Sequence, residues 1–470
     1  MEFLNKIRFM IKIDLKDITY LYGKQAEFVL EGKPEPSFLQ MIYVLPKTIH
    51  GVLNYVFTHS NLKENEFNDL KCDYLFFAGT YNQFHCLENV FLNIPSEKKL
   101  LIREIIEVAE KESLKIQFNK TDIFWGTFFL LTKGFVFWMR NVNKNRKGLF
   151  YARSIFLLSL FHCAYFYRSL KQLNPKIVVM SNDHNAPNRS LLYASKYLNN
   201  KTAYLQHASV TNILPPLEFD YAFLDGLAAH EAYKVAGIRK DDKNTKIFLS
   251  GCQKQINHDS ARKRNEKEAD DKVVVGLAIN TLDDIDEVFL FCEELSKFSN
   301  INVILRNHPA QDVIPIKNRF QSLSNVKIED FDSYSAQDFL NKIDMMIAGN
   351  TSMHLEASLS GIPCYYIEFG KCSPARKDYY GYLKSRLIDP FPEMKYKKEK
   401  DFLNLIEFDA VGKKQALKKY SNTYSSSWEG KEGELVAQTI TDICYNKPVN
   451  LFKLIECDDF YNYLLYDIIN

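Results

Sequence analysis

IAGNTSMHLEASLSGIPCYYIE, residues Ile347 to Glu368, reads as strand, polar loop, short helix, glycine stop and strand. The run before the loop (DMMIA, 344–348) is short and apolar, as a strand buried on both faces should be. Gly349 breaks it. Thr351 or Ser352 supplies an N-cap, and Glu356 follows within the first turns, where a carboxylate suits the helix dipole. Gly361 stops the helix and Pro363 prevents its continuation. Free N–H groups and hydroxyls at such a strand-to-helix turn make an anion seat, commonly for phosphate. The same residues also serve a helix that is merely capped, so the rest of the chain must decide.

The 470 residues, 46% hydrophobic, are enough for two domains. A net charge of +2 lacks the basic excess of a nucleic-acid protein, so no nucleic-acid partner is expected. Nine cysteines without regular spacing suggest free thiols in a reducing compartment. The N-terminus alternates apolar and charged residues and lacks a signal-peptide core, so the expected location is cytoplasmic.

Short apolar runs at 41–45, 74–78, 114–118, 177–180, 203–205, 221–224 and 247–249 alternate with helical stretches, the pattern of a doubly wound parallel sheet. A second series follows at 273–278, 303–305, 326–328, 345–347 and 364–367. The fold class expected is α/β, with two Rossmann-like domains facing across a cleft. Residues 1–252 form the N-terminal domain, 253–272 a charged linker, 273–445 the C-terminal domain, and 446–470 a helical tail that packs back on the first domain.

Ligands of such sheets sit beyond the carboxyl ends of the strands, and polar or titratable residues recur there. Asp183 and His184 follow 177–180, Gln206 and His207 follow 203–205, and Asp225-Gly226 follows 221–224. Thr281 follows 273–278, Arg306, His308 and Pro309 follow 303–305, and Asn350, Thr351 and Ser352 follow 345–347. Convergence of such groups marks a functional site rather than a set of solvated loops.

Arg306-Asn307-His308-Pro309, then Gly349-Asn350-Thr351-Ser352 with Glu356-Ala357, Gly361 and Pro363, resembles the donor half of bacterial GT-B glycosyltransferases of surface polysaccharides. These include sialyl-, polysialyl- and Kdo transferases, which share a His-Pro motif and a downstream Ser/Thr pair. Tyr204-Leu205-Gln206-His207 is similar to the "QHG" segment of capsule enzymes and CDP-glycerol polymerases, with Ala208 in place of the glycine. The resemblance spans 176–363. It implies an inverting transferase that takes a nucleotide-sugar donor, CMP-linked first of all, and a capsule glycan or lipooligosaccharide acceptor. It implies that Arg306, Pro309, Asn350, Thr351, Ser352, Glu356 and Thr281 bind the donor. His308 would assist the leaving phosphate, and Asp183, ahead of His184 and His207, would be the base. A base at His207 would instead point to CDP-polyol phosphotransfer. A UDP-sugar epimerase or a non-catalytic scaffold of polysaccharide assembly are further readings of the same plan.

No cofactor and no metal is expected. Asp283-Asp284 and Asp241-Asp242 read as solvated loop charges, and His85-Cys86 as structural. The aromatic segment 123–167, with Arg140, Lys144, Arg146 and Lys147 in it, suits contact with the inner membrane face. Buried core helices, or a lid over an acceptor groove, would read the same way.

Overall fold

The computed structural model describes residues 2–19, 24–61, 67, 70–104, 112–238, 244–254, 272–281, 283–308, 311–329, 335–370, 377–392, 399–458 and 462–469, with the backbone alone at 2, 24–26, 96 and 401. The chain divides into two compact units, one built from 1–254 and 427–470, the other from 255–426.

The first unit carries parallel strands β1 (Tyr74–Ala78), β2 (Lys99–Arg103), β3 (Ser113–Lys115), β4 (Ile177–Met180), β5 (Lys201–Leu205), β6 (Tyr221–Leu224) and β7 (Thr245–Leu249). They lie in the order β3-β2-β1-β4-β5-β6-β7. Alternate side chains leave each strand on opposite faces. Leu75, Phe77, Val178 and Met180 enter a core with the helix Arg146–Leu173. Tyr74, Phe76, Ile177 and Val179 enter another with the helices Tyr81–Leu92 and Glu432–Cys444. Both faces are covered, which is why these strands are unbroken apolar runs.

The second unit repeats the plan with β8 (Val273–Ala278), β9 (Ile301–Arg306), β10 (Val326–Glu329), β11 (Met345–Ala348), β12 (Cys364–Tyr366) and β13 (Asp389–Pro390), all parallel, in the order β10-β9-β8-β11-β12-β13. The chain then returns to the first unit. β14 (Phe452–Asp458) and β15 (Tyr463–Ile468) form an antiparallel hairpin, with β15 pairing in parallel with β7.

Several expectations change. Residues 41–45 lie inside the helix Phe38–Thr58, started by a reciprocal capping box between Ser37 and Gln40 that outweighs the strand-like composition. The strand expected at 114–118 is only Ser113–Lys115. The tail is a hairpin rather than helical, its Tyr- and Leu-rich sequence fitting a sheet edge. The second unit ends near 426, because Leu435, Val436, Ile440 and Ile443 pack with Phe76 and Phe91 of the first. Of the linker, 255–271 lies outside the described residues.

Residues 123–167 are helical but for a turn at 142–145, and serve both core and surface. Gly126 lies against Phe161 so closely that a Cβ there would sit 2.2 Å from the ring. The helix Arg146–Leu173 is the only one, among the described residues, long and apolar enough to cross a membrane, yet 67% of its most apolar window is buried inside the unit.

Candidate functional site

Each sheet has a topological switch, where neighbouring strands send their connections to opposite sides and a crevice opens at their carboxyl ends. In the first unit it lies between β1 and β4. After β4, the Asn182 side-chain oxygen accepts the amide N–H groups of His184 (2.9 Å) and Asn185 (2.7 Å), an Asx turn that leads into the helix Ala186–Tyr197. The turn brings His184 Nδ1 within 2.8 Å of Asp183 Oδ1. Tyr233, on the helix Leu227–Ala236, donates its hydroxyl to Asp183 Oδ2 at 2.5 Å. Arg189 Nη1 donates to the Asp183 carbonyl at 3.1 Å, and its Nη2 donates to Asp17 Oδ1 at 2.7 Å.

Burial alone would raise the Asp183 carboxyl, but the hydrogen bonds from His184 and Tyr233 outweigh it and hold the group below the usual carboxylate range. Asp183 is thus a buried anion, 1% exposed, with each oxygen engaged. It receives the Nδ1 proton of His184 and leaves Nε2 as the basic nitrogen. The His184 side chain keeps 22% of its surface exposed. His207 lies beside it, ring centroids 6.2 Å apart. Burial, and then the neighbouring His184, push the His207 imidazole down to about 3, so it is neutral and a poor base.

Asp225 follows β6 in a turn that opens the helix at Leu227; its amide donates to Gln206 Oε1 at 3.0 Å. Cys86 points its Sγ at the Gln206 carbonyl (3.1 Å), while the adjacent His85 is exposed and pairs with Glu88.

In the second unit the switch lies between β8 and β11. Gln311 ties the strand ends together: its Nε2 donates to the Asn280 carbonyl (2.8 Å), and its Oε1 accepts the His308 amide (2.8 Å). Asn280 Nδ2 reaches the Asn350 carbonyl at 3.4 Å. His308 and Thr281 are exposed at this edge. Desolvation lowers the His308 imidazole. Arg306 is buried, and its charge is felt by Asp338. Pro309 lies outside the described residues.

The opening turn caps its helix, Met353–Leu359, through Thr351, whose Oγ1 accepts the Met353 amide at 3.3 Å; the Ser352 hydroxyl makes no cap bond. Asn350 is structural: its Nδ2 donates to the Tyr366 hydroxyl (3.2 Å) and its Oδ1 accepts the Tyr379 amide (2.9 Å). Glu356 is half-buried in the first helical turn. Thr281, His308, Thr351 and Ser352 thus stand just past the carboxyl ends of β8, β9 and β11.

Of Asp283-Asp284, read as solvated charges, Asp284 is exposed as expected, and Asp283 is corrected. Asp284 is the N-cap of the helix Ile285–Leu295, its Oδ1 accepting from Asp286 N at 2.9 Å. Asp283 accepts the Asn280 amide at 2.7 Å, and burial pushes its carboxyl up to about 6. A Cβ added to Gly349 would lie 3.2 Å from Asp283 Oδ1 and 3.3 Å from the Ile367 carbonyl. His354, also unforeseen, is buried with Nε2 3.0 Å from the Gly349 carbonyl and pins the turn from beneath. Asp241-Asp242 lies outside the described residues.

No protein-family model matches the chain, and no curated protein does. Solved structures do. A putative UDP-N-acetylglucosamine 2-epimerase from Listeria monocytogenes matches with TM-score 0.51 at 13% identity, over 81% of this chain and 98% of that one. The wall teichoic acid polymerase TagF with CDPG gives 0.46 at 12%, over 87% and 98%. Acinetobacter baumannii MurG gives 0.41 at 10%, over 79% and 99%. At such identities the likeness concerns the fold, which is α/β of the GT-B kind with two Rossmann-like domains.

Proposed function

We propose that the chain is an inverting glycosyltransferase that moves a CMP-activated acidic sugar to a capsule or lipooligosaccharide acceptor. The observation that carries this is the 2.8 Å bond between Asp183 and His184. Buried Asp183 fixes the imidazole tautomer and stabilises the imidazolium formed when His184 Nε2 takes the acceptor hydroxyl proton. The role first given to Asp183 thus becomes one of orienting His184. The second unit binds the donor. As the glycosidic bond breaks, charge grows on the leaving phosphate, and Thr351, Ser352 and His308 offer donors for it. The CMP assignment rests on the His-Pro and Ser/Thr resemblance. Sugar transfer is preferred over CDP-polyol phosphotransfer because the histidine paired with the buried carboxylate is His184 and not His207 of the QH segment.

The test is a thermal-shift series with CMP, CDP, UDP, GDP and ADP, followed by turnover of a CMP-linked acidic sugar by wild type and His184→Ala. Ligands that bind the folded state raise the melting point by mass action. Stabilisation by CMP above the others, with transfer lost in the variant, is the expected result. Preference for CDP would replace the proposal with polyol phosphotransfer, preference for UDP with ordinary sugar transfer or epimerisation, and silence toward every nucleotide with a scaffold.

A further inference from the structure

In the first unit Phe124, Phe128, Leu131, Phe135 and Met139 recur at intervals of three and four, and so share one helical face. All five are exposed, at 58, 47, 62, 51 and 54%. Their neighbours Trp125, Phe129 and Trp138 are buried, so the segment divides into a core face and an outer apolar stripe. A π-turn, Leu130–Gly134, interrupts the helix, and there Lys133 turns inward to donate to the Met10 and Ile11 carbonyls.

Two other helices widen the stripe. Glu2–Lys12 lies alongside, its Phe3 ring 5.1 Å from Trp125, and exposes Phe3 and Ile11. Phe38–Thr58 packs Met41 with Trp138 and exposes Leu39 at 77%. Nothing acidic occurs in residues 3–13, 38–58 or 123–147. Arg8, Lys12, Lys47, Arg140 and Lys144 are all exposed in these spans. These cations thus stand in segments that hold no acidic residue, on a chain whose net charge is only +2.

We propose that this face docks on an anionic lipid bilayer, the aromatic stripe entering the headgroup boundary and the cations pairing with lipid phosphates. Apolar side chains on helices with a cationic rim are the chemistry of an interfacial surface. A protein partner would need acidic residues at matching positions, whereas an anionic leaflet supplies charge at every position. The 28-residue helix Arg146–Leu173 is core, so the attachment is peripheral. This inference does not depend on the transferase reading.

The full chain is sedimented with vesicles of phosphatidylcholine alone, or mixed with phosphatidylglycerol, at low and high salt. Partition to the anionic vesicles, weakened by salt, is expected. A Phe124→Gln, Phe128→Gln, Leu131→Gln variant should partition more than about tenfold more weakly, and so should Arg140→Glu with Lys144→Glu. These positions are exposed, so an unchanged thermal melt accompanies the expected loss. No partition to either vesicle, equal partition to both, or variants that bind like wild type would overturn the proposal. So would a wild-type dimer in solution that the aromatic variant splits, since the face would then bind a second copy.

Discussion

Asp183 and His184, consecutive in the chain, share a 2.8 Å hydrogen bond between Oδ1 and Nδ1, with Asp183 buried and His184 partly open to solvent. Consecutive side chains usually diverge; the Asx turn at Asn182 curls the chain so that these two meet. His184→Ala should lower turnover about 10²- to 10⁴-fold, the usual worth of a general base. Asp183→Asn should lower kcat strongly with nucleotide binding intact, because a carboxamide can present its N–H to Nδ1 and favour the wrong tautomer. Tyr233→Phe removes one hydrogen bond and should cost far less. Single-turnover kinetics beside nucleotide titration check this; equal loss of binding and turnover in Asp183→Asn would make the residue structural.

Gly349 and Asp283 sit in contact at the switch of the second unit. Gly349→Ala should destabilise that unit by about 1–3 kcal/mol, since the Ile367 carbonyl belongs to a backbone that cannot easily retreat. Asp283→Asn should act oppositely. Burial raises its carboxyl to about 6, so the ionised form is disfavoured in the fold. Stability is therefore lost as pH rises from the ordinary carboxylate range toward 6, and stays lost above it. The amide should stabilise the unit by roughly 2 kcal/mol at pH 7, with the gain fading below about pH 4. Chemical denaturation at both pH values measures it.

Arg189 joins distant parts of the first unit, donating to the Asp17 carbonyl (2.6 Å), to Asp17 Oδ1 (2.7 Å) and to the Asp183 carbonyl (3.1 Å). Burial raises the Asp17 carboxyl, and the guanidinium is the main group that opposes this, ahead of Lys196. Arg189→Met would leave a partly buried carboxylate and two carbonyls without this donor. The expected cost is about 3 kcal/mol, with Lys a poor substitute because it lacks the planar fork. Loss of the proposed transfer activity beyond the loss of folded protein would show that the link also positions Asp183.

Strands β1, β4, β6 and β8 were legible because a strand buried on both faces is a short apolar run, and little else in a polar context looks like one. The helix Phe38–Thr58 is masked by its strand-like apolar composition, although Ser37 and Gln40 stand at capping-box spacing. Clustering of His184 with His207 followed from strand ends alone. The partner that completes Asp183 did not: Tyr233 is 50 residues away, brought there by a helix packing that no local pattern encodes. Asp283 misled for a similar reason. Its sequence neighbourhood is that of a solvated turn, and only the packing around Gly349 buries it.

His354 gives the second unit an acid-sensitive point. It is buried beneath the Gly349 turn, with Nε2 3.0 Å from the Gly349 carbonyl, and burial pushes its imidazole down to about 4. The unfolded chain binds this proton near pH 6.5, so the fold is favoured while the ring is neutral in both states. As pH falls through 6.5 toward 4, the unfolded state takes up the proton first and stability drains away. Proton linkage removes roughly 2 kcal/mol between pH 7 and pH 5. His354→Gln can still donate to the Gly349 carbonyl but does not titrate. It should be the weaker protein at pH 7, and its stability should change less between pH 7 and 5 than that of wild type. Parallel pH dependence of the two would mean that the acid sensitivity lies elsewhere.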